Sequence, residues 1–186
     1  MNLKKTLLEI FTALGLAVVV YLLLYSTVQN SVVDGSSMLP GLENGQRLIV
    51  NKVAFLFSSP QRGEVVILHP PAQVGPSDKQ WVKRIIGMPG DIIRVNNGVV
   101  YVNGIALNEP YIKEPPRYTL TDFKVPSDNY FVMGDNRNNS EDSRWGWFAS
   151  RDKIIGRAWI SIWPPSLWGA APNFKQPTTT VNTSGN

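Results

Sequence analysis

The sequence predicts an all-β domain, small, antiparallel and β-rich, carried on one N-terminal transmembrane helix. Three observations predict it. The run from Leu7 to Val28 is 22 residues long with Glu9 as its only charge, enough to cross a bilayer. Beyond Val33 no segment repeats with a helical period, and apolar residues come in short runs broken by Gly, Pro and Asn. NNG at 96–98 and NG at 103–104 lie between alternating apolar runs, a strong hairpin signal.

Each element follows in chain order. Residues 1–6 hold Lys4 and Lys5, which by the positive-inside rule keep the N-terminus cytoplasmic and send everything after Val28 across the membrane. A cleaved secretory signal also starts basic, but this apolar run exceeds the usual ~7–15 residues, and YSTVQNS closes without a small-x-small pair. Residues 7–28 are therefore expected to be a retained anchor. Strands are expected in RLIVNKV, GEVVILH, KQWVKRIIG, DIIRVNNGVVYVNGIAL, NYFVMGD and IIGRAWISIW, within an extracytoplasmic domain spanning 29–171. WISIWPPSLWG is too short and too rich in proline for a second span. Residues 172–186 are polar and poor in core residues, and read as a disordered tail.

Composition removes several chemistries. With no cysteine there are no disulfides, thiolate metal sites or cysteine nucleophiles. The one histidine, His69, excludes a His-rich metal cluster, and its place in VILHPP suits a strand end better than a catalytic triad. The net charge of +4 is scattered along the chain, without the clustered basic face that tracking nucleic acid requires. An anionic membrane surface accounts for that balance as well.

A serine is a weak nucleophile until a positioned base takes its proton. Ser36 and Ser37, in DGSSMLPGL, read equally well as turn residues. With no obvious histidine partner for these serines, the base would be a carboxylate or a neutral lysine, and an ordinary lysine is neutral in only about one molecule in 2,500 at pH 7. Lys83 meets the need best: strand alternation sets Trp81, Lys83 and Ile85 on one face of KQWVKRIIG, with Val82, Arg84 and Ile86 on the other. Burial there would favour the neutral amine. Taken alone, that strand fits a snorkelling lysine too, and Arg84 is left either holding a carboxylate or facing solvent. The loop GDNRNNSEDSRWG crowds Asp135, Arg137, Glu141, Asp142 and Arg144 directly after a strand.

Together the three segments resemble the type I signal peptidases, membrane-bound serine proteases that remove signal peptides from exported proteins. The resemblance runs from the anchor to about Trp163. It implies a β-rich catalytic domain, with the nucleophile on Ser37 of SMLP and the base on Lys83 of KRIIGMPGD. In GDNRNNSEDSR it implies that Ser140 positions the lysine amine and that Asp142 and Arg144 form a supporting ion pair. RGEVVIL resembles the family's structural Arg-Gly-Asp/Glu strand. One departure stands out. Some members carry a serine two positions before the nucleophile that binds the oxyanion, and here Gly35 occupies that place. The backbone N–H of Ser37 remains, with a second donor to come from the main chain near Gly35 or from water.

The implied reaction is acyl transfer without metal or cofactor. The implied substrates are preproteins cleaved after a small-x-small sequence and bound as an extended strand. Met38 and Trp81 are candidate pocket walls, and Phe55, Leu56, Phe57, Trp163 and Trp168 a candidate apolar rim on the lipid bilayer; all could equally be core. The expected location is a bacterial plasma membrane, with a thylakoid as the alternative. Two rival functions carry less of the pattern: a non-catalytic envelope module would not need both Ser37 and Lys83, and a self-cleaving repressor would carry a DNA-binding domain rather than an anchor.

Overall fold

The computed structural model describes residues 3–76 and 78–176. Helix α1, Leu3–Thr27, is 25 residues long, about 37 Å at ~1.5 Å per residue, against a hydrocarbon core of ~30 Å. Among the described residues it is the one helix long and apolar enough to cross a membrane. It stops one residue before the expected boundary because Val28 already pairs with Asn51, while the Lys52 N–H donates to the Thr27 carbonyl at 2.9 Å. No linker intervenes, and the helix runs straight into a strand.

Among the described residues twelve strands follow: β1 Val28–Val32, β2 Arg47–Asn51, β3 Val65–Leu68, β4 Trp81–Gly87, β5 Ile92–Asn96, β6 Val99–Val102, β7 Ile105–Ala106, β8 Leu120–Lys124, β9 Asn129–Met133, β10 Ala149–Ser150, β11 Ile154–Trp163 and β12 Gly169–Ala170. The larger sheet runs β1-β2-β11-β3-β4-β9-β10, with β12 against β11, and the smaller runs β7-β6-β5-β8. All the pairings are antiparallel, so the all-β expectation holds. Both predicted hairpins form. Asn97 and Gly98 turn β5 into β6 at φ 49° and 75°, and Asn103 and Gly104 turn β6 into β7 at 53° and 81°, the positive-φ pairs that two-residue hairpin turns require.

Four strands lie outside the expected set. VQNSV of β1 and LTDFK of β8 are too polar to show an apolar alternation, and β10 and β12 are two residues each. Neighbouring strands, rather than their own side chains, make them β.

β4 lies inside the larger sheet between β3 and β9, and every residue after Trp81 in it is buried. Val82 enters one apolar cluster with Met38, Leu42 and Leu48. Trp81 and Ile85 join a second with Val132 and Trp147, and Ile86 a third with Ile93 and Phe131. A strand covered on both sides is a poorly hydrated place for a cation, and it carries two, Lys83 and Arg84.

The structure corrects the expected tail at residues 172–176; residues 177–186 lie outside the described residues. Asn173 accepts the Val65 N–H on Oδ1 and donates from Nδ2 to the Ala158 carbonyl, both at 2.8 Å. The Phe174 N–H donates to the Gly63 carbonyl at 3.0 Å. A low apolar content hid this segment, because backbone and amide hydrogen bonds hold it. Asn173→Ala should lower stability by about 1–3 kcal/mol, read as a thermal midpoint several degrees lower; an unchanged midpoint would show that the clasp contributes nothing.

Candidate active site

Ser37 sits in the turn between β1 and β2. The turn is fastened below by Met38 and Leu42, both fully buried, and from the side by the segment after β9. The Asn136 N–H donates to the Ser37 carbonyl at 2.9 Å. Asn136 Nδ2 donates to the Ser36 carbonyl at 3.1 Å, and Asn139 Nδ2 to Ser36 Oγ at 3.0 Å. A polar, solvent-facing turn is thereby held by partners about a hundred residues away.

Lys83 reaches it from β4. Its Nζ lies 2.9 Å from Ser37 Oγ and 5.4 Å from the centre of the Trp81 ring, and only 4% of the residue is exposed. Burial lowers the amine's pKa from 10.5 to about 8, against the opposing pull of Asp142, Glu141 and Asp135 and with a smaller push from Arg144. At pH 7 about one molecule in ten then carries a neutral Lys83, instead of one in thousands. In the charged form the amine donates to Oγ; in the neutral form its lone pair can accept the hydroxyl proton.

Ser140 Oγ is buried and has no hydrogen-bond partner among the described residues. It packs at Gly134, where an added Cβ would overlap both Ser140 Oγ and the Ser37 carbonyl. Asp142 is fully buried and accepts the Gly134 N–H at 3.2 Å. Its Oδ1 lies 3.3 Å from Arg144 Nε, a contact not directed well enough to be a hydrogen bond. Arg144 also donates to the Arg137 and Ser140 carbonyls, so the Asp142–Arg144 pair shapes the loop that presents Ser140.

Beneath β4 lies a second layer of charge. Arg84 grips Asp135 with two hydrogen bonds of 2.8 and 2.6 Å, both side chains fully buried. It also donates to the Gly63 and Pro172 carbonyls at 2.7 Å, and stacks 3.9 Å from the Tyr111 ring. Of the two roles left open for Arg84, the structure selects the carboxylate. Arg137 pairs with Glu109 through bonds of 2.8 and 2.7 Å. Glu109 and Tyr111 carry no signal in the sequence, since NEPYIKEPP reads as polar turn.

Two placements are corrected. Met38 packs in the core with Leu42, Leu48 and Val82, so it cannot wall a substrate pocket, whereas Trp81 does line the cleft. The Gly35 N–H donates to Asn44 Oδ1 at 2.7 Å and is not free for an oxyanion. The cleft measures about 1020 Å³ and runs past Ser37 and Lys83, with Val32, Trp81, Glu141 and Trp145 among its walls. His69 Nδ1 contacts the Lys79 carbonyl at 3.1 Å, at the foot of the loop joining β3 to β4.

A family model described as "Signal peptidase, peptidase S26" matches residues 3–163. The chain belongs to the signal peptidase I family. It is 43% identical to a probable signal peptidase I-1 of Synechocystis sp. across 92% of this chain and 88% of that one. It is 41% identical to signal peptidase I of Leptolyngbya laminosa (88% and 83%) and to signal peptidase I S of Bacillus subtilis (87% and 91%). A solved signal peptidase I from Enterococcus faecalis shares 28% identity over 54% of this chain and 97% of its own, at a TM-score of 0.45. Membership makes this chain a hydrolase, a serine endopeptidase of the class that removes signal peptides.

Two outcomes follow for such a signal peptidase. Because the folded pKa of Lys83 lies below its unfolded value, the unfolded state binds more protons between about 8 and 10.5, and this group adds stability as pH rises through that window. Lys83→Met should remove a pH-dependent gain of about 3 kcal/mol, read as the difference between wild-type and variant unfolding curves at about pH 7.5 and about pH 11; parallel curves would mean the amine is hydrated. Gly134→Ala should cost more than about 100-fold in kcat, since even a ~1 Å misplacement is that expensive; full activity would show that the Ser37–Ser140 approach is slack.

Proposed function

We propose that this signal peptidase works through a Ser37–Lys83 dyad, and the observation that carries the reading is the 2.9 Å contact between a buried amine and the serine hydroxyl at the cleft. Neutral Lys83 takes the Ser37 proton as Oγ attacks the scissile carbonyl, then returns it to the leaving amine. Water, deprotonated by the same lysine, releases the acyl group from Ser37. Ser140 lines the same cleft as the amine, and Asp142 with Arg144 keeps its loop in place.

The substrates are preproteins with small-x-small cleavage sites, bound as an extended strand in the cleft beside β1, the edge strand of the larger sheet. α1 anchors the enzyme in a single pass, with residues 1–6 in the cytoplasm, Lys4 and Lys5 setting the direction, and the β-domain on the outer face. The membrane is a bacterial plasma membrane, with a thylakoid as the alternative. Ser37 comes nine positions after Val28, and β1 is continuous with the helix, so the nucleophile stays within ~30 Å of the anchor's end. An apolar rim of Leu56, Phe57, Trp163 and Trp168 adds a lipid contact: all four are exposed, Phe57 at 98%. Phe55 drops out of that rim, being buried in the core under Arg151.

Ser37→Ala and Lys83→Ala should each lower kcat on a signal-peptide substrate by at least about 10³-fold, and Lys83→Arg should not restore it, because guanidinium stays charged. In the wild type kcat/KM should rise with pH through an acidic limb near the lysine's pKa of about 8. Undiminished activity in either alanine variant, or a flat profile from about pH 5 to 9, would overturn the dyad.

A further inference from the structure

When a serine attacks a carbonyl, negative charge gathers on the carbonyl oxygen, and donors aimed at that oxygen supply much of the rate. The Ser37 N–H is one such donor and has no acceptor among the described residues. Gly35 supplies no other: it has no side chain, and its N–H is held by Asn44. Other neutral donors at the cleft are largely spent. Asn136 Nδ2 serves the Ser36 carbonyl and Asn138 Nδ2 the Pro115 carbonyl. Ser140 Oγ is buried against Gly134, and Gln80, whose Oε1 accepts from Ser31 Oγ, belongs to the segment leading into β4 rather than to the serine turn.

Ser36 differs from these. Its Oγ accepts a hydrogen bond from Asn139 Nδ2 at 3.0 Å, which orients the hydroxyl while leaving its own proton unused; no acceptor for that proton exists among the described residues. The side chain lines the same cleft as Ser37 and Lys83. Four covalent bonds separate Ser36 Oγ from the Ser37 nitrogen, so the two stay within roughly 5 Å of each other in any rotamer. Two donors each at ~2.9 Å from one oxygen span about that distance. The backbone that carries them is pinned, because Asn136 binds the Ser36 and Ser37 carbonyls together.

We propose that the Ser36 hydroxyl, oriented by Asn139, is the second donor to the oxyanion formed when Ser37 attacks. Ser36 touches the reacting oxygen and Asn139 is a positioning residue. The inference rests on the reading of Ser37 as nucleophile and assigns the place that Gly35 leaves open. The donor transfers no proton: the carbonyl π electrons move onto oxygen as the Ser37 Oγ–C bond forms, and the hydroxyl lends a hydrogen bond until the carbonyl re-forms.

The test uses the purified full-length protein in detergent, a signal-peptide substrate, and a peptide aldehyde whose hemiacetal with Ser37 presents the same oxygen. Ser36→Ala should lower kcat by about 10²-fold with KM unchanged within about two-fold, and should weaken the aldehyde by a similar factor. Ser36→Thr should recover most of kcat, and Asn139→Ala should fall between it and Ser36→Ala. The acidic limb near a pKa of about 8 should stay in place in all three, since Lys83 is untouched. A kcat for Ser36→Ala within about three-fold of wild type, or Ser36→Thr no better than Ser36→Ala, would overturn the assignment. Activity surviving Ser37→Ala would instead overturn the underlying dyad, so the two failures are distinguishable.

Discussion

The site depends on one unfavourable burial, that of the Lys83 amine inside β4. An ammonium taken out of water is costly, and a protein tolerates it by pairing the charge or by letting the group go neutral. Here the surroundings are divided. Trp81 and the apolar clusters around β4 disfavour charge, while Asp142, Glu141 and Asp135 lie close enough to oppose full neutrality. The resulting pKa of about 8 suits the proposed dyad, since a base titrating near neutral pH is both sufficiently deprotonated and sufficiently basic.

Holding that amine against Ser37 requires rigid neighbours, and the chain obtains them from one short loop. Residues 134–144 fasten the serine turn through Asn136 and Asn139, close over Gly134, and are themselves fastened by Asp142 and Arg144. Arg84 and Asp135 then lock the loop to β4 from below. A fully buried ion pair is weak evidence for net stability, because desolvation offsets much of its attraction. Its bidentate geometry nonetheless fixes direction, and here it ties the residue after Lys83 to the residue after Gly134.

How much of this is legible in the sequence varies by element. The apolar helix, the Asn-Gly hairpins and the strong strands are written in local pattern, because each is a nearest-neighbour property of the chain. β1, β8, β10 and β12 are not, since short or polar segments become strands only when a partner's edge is present. Met38 shows the limit from the other side. Beside Ser37 in sequence it looks like a pocket wall, but one residue along a turn reverses the side-chain direction and points it into the core. The 172–174 segment was illegible for the same reason as β1, since its hydrogen-bond partners are Gly63, Val65, Arg84 and Ala158, all distant in the chain.

The sequence by itself determined the family resemblance, the candidate anchor, the all-β class and the two residues whose chemistry could be joined, Ser37 and Lys83, because those rest on residue type and short-range order. Only the tertiary structure decided that they meet, 46 positions apart and 2.9 Å between atoms, and that Arg84 grips Asp135 instead of facing solvent. It also decided that the Gly35 N–H is engaged while, among the described residues, the Ser36 proton is not. The physical reason is that burial, and with it an amine's protonation and a donor's freedom, is set by strands and loops that the chain brings together from a distance. Local sequence can name the groups, but the dielectric around them is a property of the whole fold.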